Sequence, residues 1–545
     1  VKTRETGKMM KTAKTKKKKE RERWVFDTED NSKGRVYWVN FFNGQRHVSF
    51  DNPHRAIEWI LDQEGVFWAV NLEYDLINLF GPLMDLLCVL TYGGFGLLKA
   101  SVYGKPISFL NTLRHWPMSV EEMGERLGFP KLPFDPTSLV YCQRDCEVTY
   151  RFIETMTEKY RAMGIDEVRA TLPSTALRFY LEKFCHVRWE RHGDMSVWKF
   201  LSMARYGGRT EIFYTKPVKG RVYEYDINSS YPYAMKTERF PNLDTIQLGK
   251  KSPDFSAEGV ACCTVTCPDI EFPLLPYKSE RGSKLLFPTG TFTGFWTYPE
   301  IRKALDLGYQ IERVHRCIEY QSIKSPFAKY IDFLYSWRQK VRATDELMSY
   351  TLKIAMNSTF GKFGEEGELQ VISRGKRYTL RQIPDHSNMV WAAYILAYGR
   401  LNLYTYLIQA TERGELLYCD TDSVFVKTNR PPFDDSKELG QLGKKGCYNY
   451  AHFKLPKLYQ VDNHYKAKGV PLDKQRKEDM EHLKREFFDD GIAEFLKPYR
   501  WLESKKLKEQ PNVWREVTKQ INATYDKRTT YRSGKTWPLC IGKAP

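Results

Sequence analysis

The stretch Glu415-Leu416-Leu417-Tyr418-Cys419-Asp420-Thr421-Asp422-Ser423-Val424-Phe425-Val426 decides how this chain is read. Two apolar, β-prone runs flank the polar tetrad Asp420–Ser423, which reads as a hairpin turning at the tetrad. A turn rich in Asp and Ser is ordinary. Two carboxylates at the tip of an otherwise buried hairpin are less so, because they repel each other unless something positive lies between them. The tetrad is either a solvated turn or half of a divalent-metal platform. The platform needs a third carboxylate from elsewhere.

That carboxylate is available at Asp226, in Arg221-Val222-Tyr223-Glu224-Tyr225-Asp226-Ile227-Asn228-Ser229-Ser230-Tyr231-Pro232. Here a strand ends at Asp226 and turns into a helix, whose first free N–H groups, beyond Ser229, can bind a triphosphate. Tyr231 is placed to stack under a sugar and exclude a 2′-hydroxyl. Downstream, a helix from Tyr335 carries Arg338, Lys340 and Arg342, and a second presents Lys353, Asn357 and Phe360 at i, i+4 and i+7. Those three share one helical face. A lysine and an amide aligned with a ring can grip phosphate oxygens and pack on a base pair; a solvated amphipathic helix is the alternative.

The N-terminal part holds a second set of acids. In Trp24-Val25-Phe26-Asp27-Thr28-Glu29, Asp27 and Glu29 face one side of a strand. The apolar strand Gly65–Val70 leads into Asn71-Leu72-Glu73-Tyr74-Asp75, read as a polar turn carrying Asp75. A helix capped by Thr137 or Ser138 puts Tyr141 and Asp145 on one face. Carboxylates of this kind are hard oxygen ligands suited to Mg²⁺. Between the two sets, Arg205-Tyr206-Gly207-Gly208-Arg209 lets backbone approach something closely. Its arginines suggest a phosphate; an interdomain turn is the alternative.

Composition sets the bounds. With 545 residues, 42% hydrophobic and 14% aromatic, the chain can hold several domains. No run approaches the roughly 18 apolar residues of a membrane span, and no signal segment is visible at the start. The eleven cysteines form no CxxC pair, and Cys262, Cys263 and Cys267 read as reduced thiols rather than a zinc site. These features lead us to expect an intracellular, reducing compartment. The net charge is +18, and residues 1–23 hold eleven Lys/Arg against three Glu. That basic stretch reads as disordered: a nucleic-acid grip, a localisation signal or a solubilising tail. The basic, aromatic-rich remainder suits a phosphate-lined channel with stacking surfaces.

Together these segments resemble the family B DNA polymerases, most closely the compact protein-primed group of phages, adenoviruses and linear plasmids. Asp27, Glu29, Asp75, Tyr141 and Asp145 match the DxE, NxxYD and YxxxD exonuclease motifs. Asp226 to Pro232 is similar to DxxSLYP, with Ser230 where Leu is usual. Lys353 to Gly361 is similar to KxxxNSxYG, with Phe360 replacing Tyr. Asp420 to Ser423 matches the DTDS hairpin. The resemblance implies an α/β and α+β multidomain chain, with an RNase H-like 3′–5′ exonuclease domain followed by a right-hand polymerase. It divides the chain into a tail at 1–23, an exonuclease domain at 24–185, a linker and first palm part at 186–254, and an insert at 255–325. Fingers with a short second insert follow at 326–395, the palm core at 396–445 and the thumb at 446–545.

The implied activity is dNTP transfer to a primer 3′-OH with proofreading, in replication of a viral or plasmid genome. Two Mg²⁺ per site, with Mn²⁺ as substitute, would sit on Asp226 and Asp422, supported by Asp420, and on Asp27, Glu29, Asp75 and Asp145. Tyr141 would orient the attacking water and Lys131 would stand beside the scissile phosphate. Ser229, Tyr231, Lys353, Asn357, Phe360, Arg338 and Lys340 would hold the nucleotide. Asn71, Tyr74, Thr112, Leu113, Tyr206, Gly207, Gly208, Arg400, Lys457, Tyr459, Lys466 and Lys468 would contact DNA, and Tyr525 to Arg528 is similar to C-terminal segments of the group. The implied partners are template–primer DNA, dNTPs and a terminal protein primer, with no membrane and a monomeric chain. The implied location is the host cytoplasm, with nucleus or organelle left open. A primer-independent relative, or a non-catalytic DNA-binding protein with the same fold, is the alternative.

Overall fold

The computed structural model describes residues 22–31, 35–81, 88–92, 97–102, 105–187, 194–248, 253–278, 284–373, 376–381, 383–470, 477–498, 514–521 and 524–542. Most of the basic segment 1–23 lies outside them. The chain forms two compact units. The first is Val1–Asp166 with Leu369–Leu380 and Tyr499–Val513; the second is Glu167–Glu368, Arg381–Pro498 and Trp514–Pro545.

The first unit is built on a nine-stranded sheet. Strand Glu22–Asp30 pairs antiparallel with Val36–Phe42 and parallel with Gly65–Ala69, which in turn lies parallel to Lys105–Asn111. Trp24, Phe26, Phe41, Phe67 and Phe109 fill its core on the faces that the alternating pattern selects. Burying each such ring contributes roughly 1.5–3 kcal/mol. The 24-residue helix Leu139–Ala162 begins where the Ser138 side chain accepts from the Tyr141 amide, so Ser138 rather than Thr137 is the cap.

One expectation changes here. Asp75 lies inside the helix Leu72–Phe80, not in a turn. Asn71 takes the left-handed conformation (φ 60°) at the N-cap, so the strand stops there and the next residues are already helical.

The second unit carries a seven-stranded sheet ordered His464–Ala467, Leu458–Val461, Leu442–Leu455, Val218–Ile227, Ser423–Lys427, Glu415–Asp420, Thr210–Ile212. Glu415–Asp420 and Ser423–Lys427 form the expected hairpin, with Asp420 opposite Ser423. The long helix Met389–Arg413 covers it, and Leu403, Leu407, Val424 and Val426 join one apolar core with Tyr225 and Ile227. A five-stranded sheet built around Glu258–Cys267, Thr289–Thr297 and Gln310–Tyr320, with the helix Tyr298–Asp306, makes the 255–320 region mostly β. The chain after the hairpin reads as basic and irregular, yet Leu442–Leu455 is a 14-residue strand. It pairs along Val218–Ile227, and that central pairing prevails over the polar local composition. The helix Leu172–Lys183, expected with the 24–185 region, packs on Glu346–Phe363 in the second unit.

Candidate active sites

Each unit gathers carboxylates at one place. In the second unit the register sets Asp226 beside Ser423 on one side and Gly443 on the other. The Asp422 carbonyl accepts from the Ile227 amide at 2.7 Å, which ties the hairpin tip to the strand end carrying Asp226. Burial raises the Asp226 carboxyl, although Lys445, Lys353 and a hydrogen bond with Asp422 oppose the shift. Burial, then the charges of Asp226 and Asp420, push Asp422 up to about 7. Two acids forced together in this way are what a divalent cation would relieve.

Asp420 is differently placed. Its Oδ1 accepts from Lys457 Nζ at 2.7 Å, Thr421 Oγ1 at 3.0 Å and Thr210 Oγ1 at 3.2 Å, and Tyr418 donates to Oδ2 at 3.3 Å. With its oxygens so occupied it supports the loop, while Asp422 and Asp226 form the open pair. Lys457, expected on the primer end, is the cation that holds Asp420. Tyr459 packs among Tyr418, Phe425 and Phe453 rather than standing free.

The residues expected to hold the nucleotide lie near the Asp226–Asp422 pair or on the helices beside it. Ser229 turns the chain with φ 51° into the helix Ser230–Thr237. Tyr231 and Phe360 lie ring against ring, 4.3 Å between centroids. Asn357 Nδ2 donates to the Lys353 carbonyl, and Lys353 is exposed. Arg338 is half-buried beside Arg342, and Lys340 lies over the Trp337 ring.

Several expected DNA contacts are internal ties instead. Arg400 is buried; it pairs with Glu300 at 2.7 Å and donates to the Tyr206 and Gly207 carbonyls. A buried guanidinium so engaged cannot bind a phosphate. Tyr206 is buried, its hydroxyl accepting from the Phe295 amide at 3.3 Å. Thr112 is fully buried and donates to the Ala69 carbonyl, and Leu113 is held through its amide on Asn111. The arginines flanking Gly207-Gly208 are likewise taken, Arg205 by Glu366 and Arg209 by Glu211. Gly207 is exposed. Gly208 does allow a close approach, but by the hairpin tip: a Cβ there would lie 2.8 Å from Thr421 Cγ2. Lys466 and Lys468 are exposed.

In the first unit Asp27, Glu29 and Asp145 bring one carboxylate oxygen each within 4.8 Å of one another. Asp75 adjoins them, its Oδ1 accepting from the Thr28 amide and hydroxyl. Its Oδ2 and Asp145 Oδ1 are buried without a hydrogen-bond partner, and oxygens of that kind suit a cation. Burial and mutual repulsion hold Asp27 and Asp75 well above the usual carboxylate range, and burial with the Asp145 charge lifts Glu29 to about 7. Lys131 lies 2.5 Å from Asp145, and its ammonium is 4.6 Å from the Tyr141 ring. Burial pushes the Tyr141 hydroxyl up to about 12. Asn71 is exposed at its cap, while Tyr74 donates to Asp30 at 2.5 Å.

A family model described as DNA polymerase type B, organellar and viral, matches residues 121–377. The chain is 25% identical over 363 residues to a probable DNA polymerase of Neurospora intermedia, covering 58% of this chain and 37% of that protein. It is 25% identical over 370 residues to the DNA-directed DNA polymerase of Enterobacteria phage PRD1, covering 61% of this chain and 62% of that one. The chain therefore spans well under half the length of the fungal relative. Phi29 DNA polymerase, complexed with primer-template DNA and incoming nucleotide substrates, superposes with a TM-score of 0.71 at 16% identity, covering 92% of this chain and 100% of that chain.

The chain is similar to the type B DNA polymerases.

Its fold is that of Phi29 DNA polymerase, an α/β and α+β chain in two units as expected. Two features of this chain were not anticipated from sequence. Lys445 stands 3.4 Å from Asp226, and it is indistinguishable in sequence from its neighbour Lys444 until the strand register is known. The buried Arg209–Glu211–Arg528 cluster joins residues more than 300 positions apart, and no local pattern signals it.

Proposed function

We propose that the chain carries out template-directed DNA synthesis, transferring nucleotides from dNTPs to a primer 3′-OH, and removes mispaired ends with a 3′–5′ exonuclease. The observation that carries this reading is the Asp226–Asp422 pair, two half-buried acids held together by strand register and flanked by Lys353 and the Tyr231–Phe360 rings. The separate Asp27–Glu29–Asp145 cluster supports the exonuclease. Hard carboxylate donors fit Mg²⁺, with Mn²⁺ as substitute, and in the first unit Asp75 Oδ2 and Asp145 Oδ1 have no hydrogen-bond partner. Asp226 and Asp422 would hold it in one unit, Asp27, Glu29, Asp75 and Asp145 in the other. When bound, such ions activate the attacking oxygen and stabilise the leaving one.

The chain's own groups do the rest. Lys353 is placed to neutralise charge on the triphosphate. The Tyr231 ring shapes the sugar side of the pocket against Phe360. Lys131 and Tyr141 face the exonuclease carboxylates, to position a scissile phosphate and a water.

The similarity to phage and fungal polymerases, and the β-rich insert between the Asp226 and Lys353 segments, favour priming by a terminal protein in replication of a viral or plasmid genome. The test uses the full chain with Mg²⁺, dNTPs and labelled DNA. Asp422→Ala should abolish primer extension and keep single-strand degradation, and Asp27→Ala should do the reverse. Either variant retaining the activity assigned to its own site would overturn the assignment. Product formed with neither primer nor terminal protein would overturn protein priming.

A further inference from the structure

Behind the Asp420–Asp422 loop lies a buried charge cluster that the catalytic reading leaves unused. Strand Thr210–Ile212 is the edge partner of the hairpin, pairing Asp420 with Thr210 and Cys419 with Glu211. It holds the loop at two points: the Thr421 amide donates to the Arg209 carbonyl at 2.7 Å, and Thr210 Oγ1 donates to Asp420. Thr421 itself is left-handed, with φ 62°. A non-glycine residue in that conformation is strained and persists only when its surroundings enforce it.

The enforcement comes from the C-terminal segment. Arg209 and Glu211 form a fully buried pair, with Nε to Oε2 at 2.6 Å. Arg528 approaches the other Glu211 oxygen, with Nη1 3.5 Å from Oε1. It is 2% exposed, and Nε and Nη2 are spent on Thr536 Oγ1 and the Glu271 carbonyl, each at 2.9 Å. Around it, Thr536 Oγ1 donates to the Ile212 carbonyl, the Tyr525 hydroxyl accepts from the Ile212 amide, and Lys527 Nζ donates to the Thr210 carbonyl. Every residue of the short edge strand is thus held by the hairpin Arg528–Thr530/Thr536–Pro538 or the residues just before it. From sequence, Tyr525 to Arg528 is similar to C-terminal segments of the group, alongside the expected DNA-contacting lysines, where a phosphate contact or a basic surface would suit it. Arg528 is buried and does neither.

We propose that Arg528 is a positioning residue for nucleotidyl transfer, fixing the Asp420–Asp422 loop through Glu211, Arg209 and the edge strand. The C-terminal hairpin is then part of the synthetic site. A second cation against one buried carboxylate is more than neutrality requires. A buried ion cluster is weak support for stability, because apolar residues of similar volume often serve as well; its contribution here is to hold the strand and loop in one register. The inference rests on the polymerase reading.

The test uses the full chain, with Arg528→Met, Arg528→Lys and the triple apolar replacement Arg209→Met/Glu211→Leu/Arg528→Met. For Arg528→Met, kcat for single-nucleotide extension should fall about 10- to 100-fold, as expected of a misplaced metal-binding loop. KM for dNTP, primer–template Kd and single-strand degradation should stay within about twofold of wild type. Arg528→Lys should recover part of kcat. The triple variant should restore the melting temperature without restoring kcat, and it carries the test if Arg528→Met does not fold. Unchanged kcat in Arg528→Met, or kcat recovered together with stability in the triple variant, would overturn the proposal. So would a loss shared equally by extension and single-strand degradation. A wild-type chain that extends no primer would overturn the polymerase reading itself, and the inference with it.

Discussion

Asp422 and Glu29 both sit at about 7, each raised mainly by burial and then by neighbouring acids. The sign follows from that cause. Below 7 each carries a proton that a divalent ion must displace; above 7 the carboxylate is bare and the ion binds without competition. Mn²⁺ affinity, measured by titration calorimetry or magnetic resonance, should rise about tenfold per pH unit up to about 7 for each proton displaced, then level off. Without metal the stability trend is opposite. These carboxyls favour the fold most below the ordinary carboxylate range, and that contribution is lost as pH rises through 7. Lys131 makes the complementary case. Removing it in Lys131→Met leaves Asp145, a buried acid, without its cation. Single-strand degradation should drop at least about tenfold while primer extension is unchanged. Both residues were legible in sequence because their chemistry is local to a short motif. Arg400 and Thr112 were misread for the same reason: a motif gives a residue's identity, but whether its side chain meets solvent or Glu300 depends on a partner 100 positions away.

Among elements, the hairpin was the easiest to read, since two β-prone runs around Asp420–Ser423 admit few other conformations. The helix Leu139–Ala162 and its polar cap were equally plain. The strand Leu442–Leu455 was not, because Lys444, Lys445 and Tyr448 hide an alternation that only the neighbouring strand enforces. The close pass of Gly208 against Thr421 yields a prediction at this level. Gly208→Ala puts a methyl group 2.8 Å from Thr421 Cγ2, closer than side chains pack, so the hairpin tip must shift. Extension should fall at least about tenfold, as a displacement of the order of 1 Å at a reacting centre implies. Single-strand degradation provides the control, because its carboxylates lie in the first unit.

Across the whole molecule, charge is the property that composition revealed and the fold does not explain. Of a net +18, residues 1–23 contribute eleven cations against three acids. Each cation that neutralises a phosphate adds about 0.9 to the salt dependence of duplex binding. A chain lacking residues 1–21, which keeps the strand Glu22–Asp30, should therefore bind primer–template with a visibly flatter plot of log affinity against log salt, measured by fluorescence anisotropy. An unchanged slope would mean that the tail does not touch DNA. The division into units could not be read from sequence, because Leu369–Leu380 belongs with a sheet begun more than 300 residues earlier.

The C-terminal hairpin also has a consequence for the order in which the enzyme is made. A ribosome delivers Asp27, Glu29 and Asp145 early and the hairpin with Asp422 much later, but Arg528 and Thr536 emerge more than 100 residues after Asp422. A nascent chain should accordingly be able to degrade DNA before it can copy it. The gap closes when the last strand pair seats on Thr210–Ile212, so any truncated product released early would carry an assembled palm sheet with an unfastened catalytic loop.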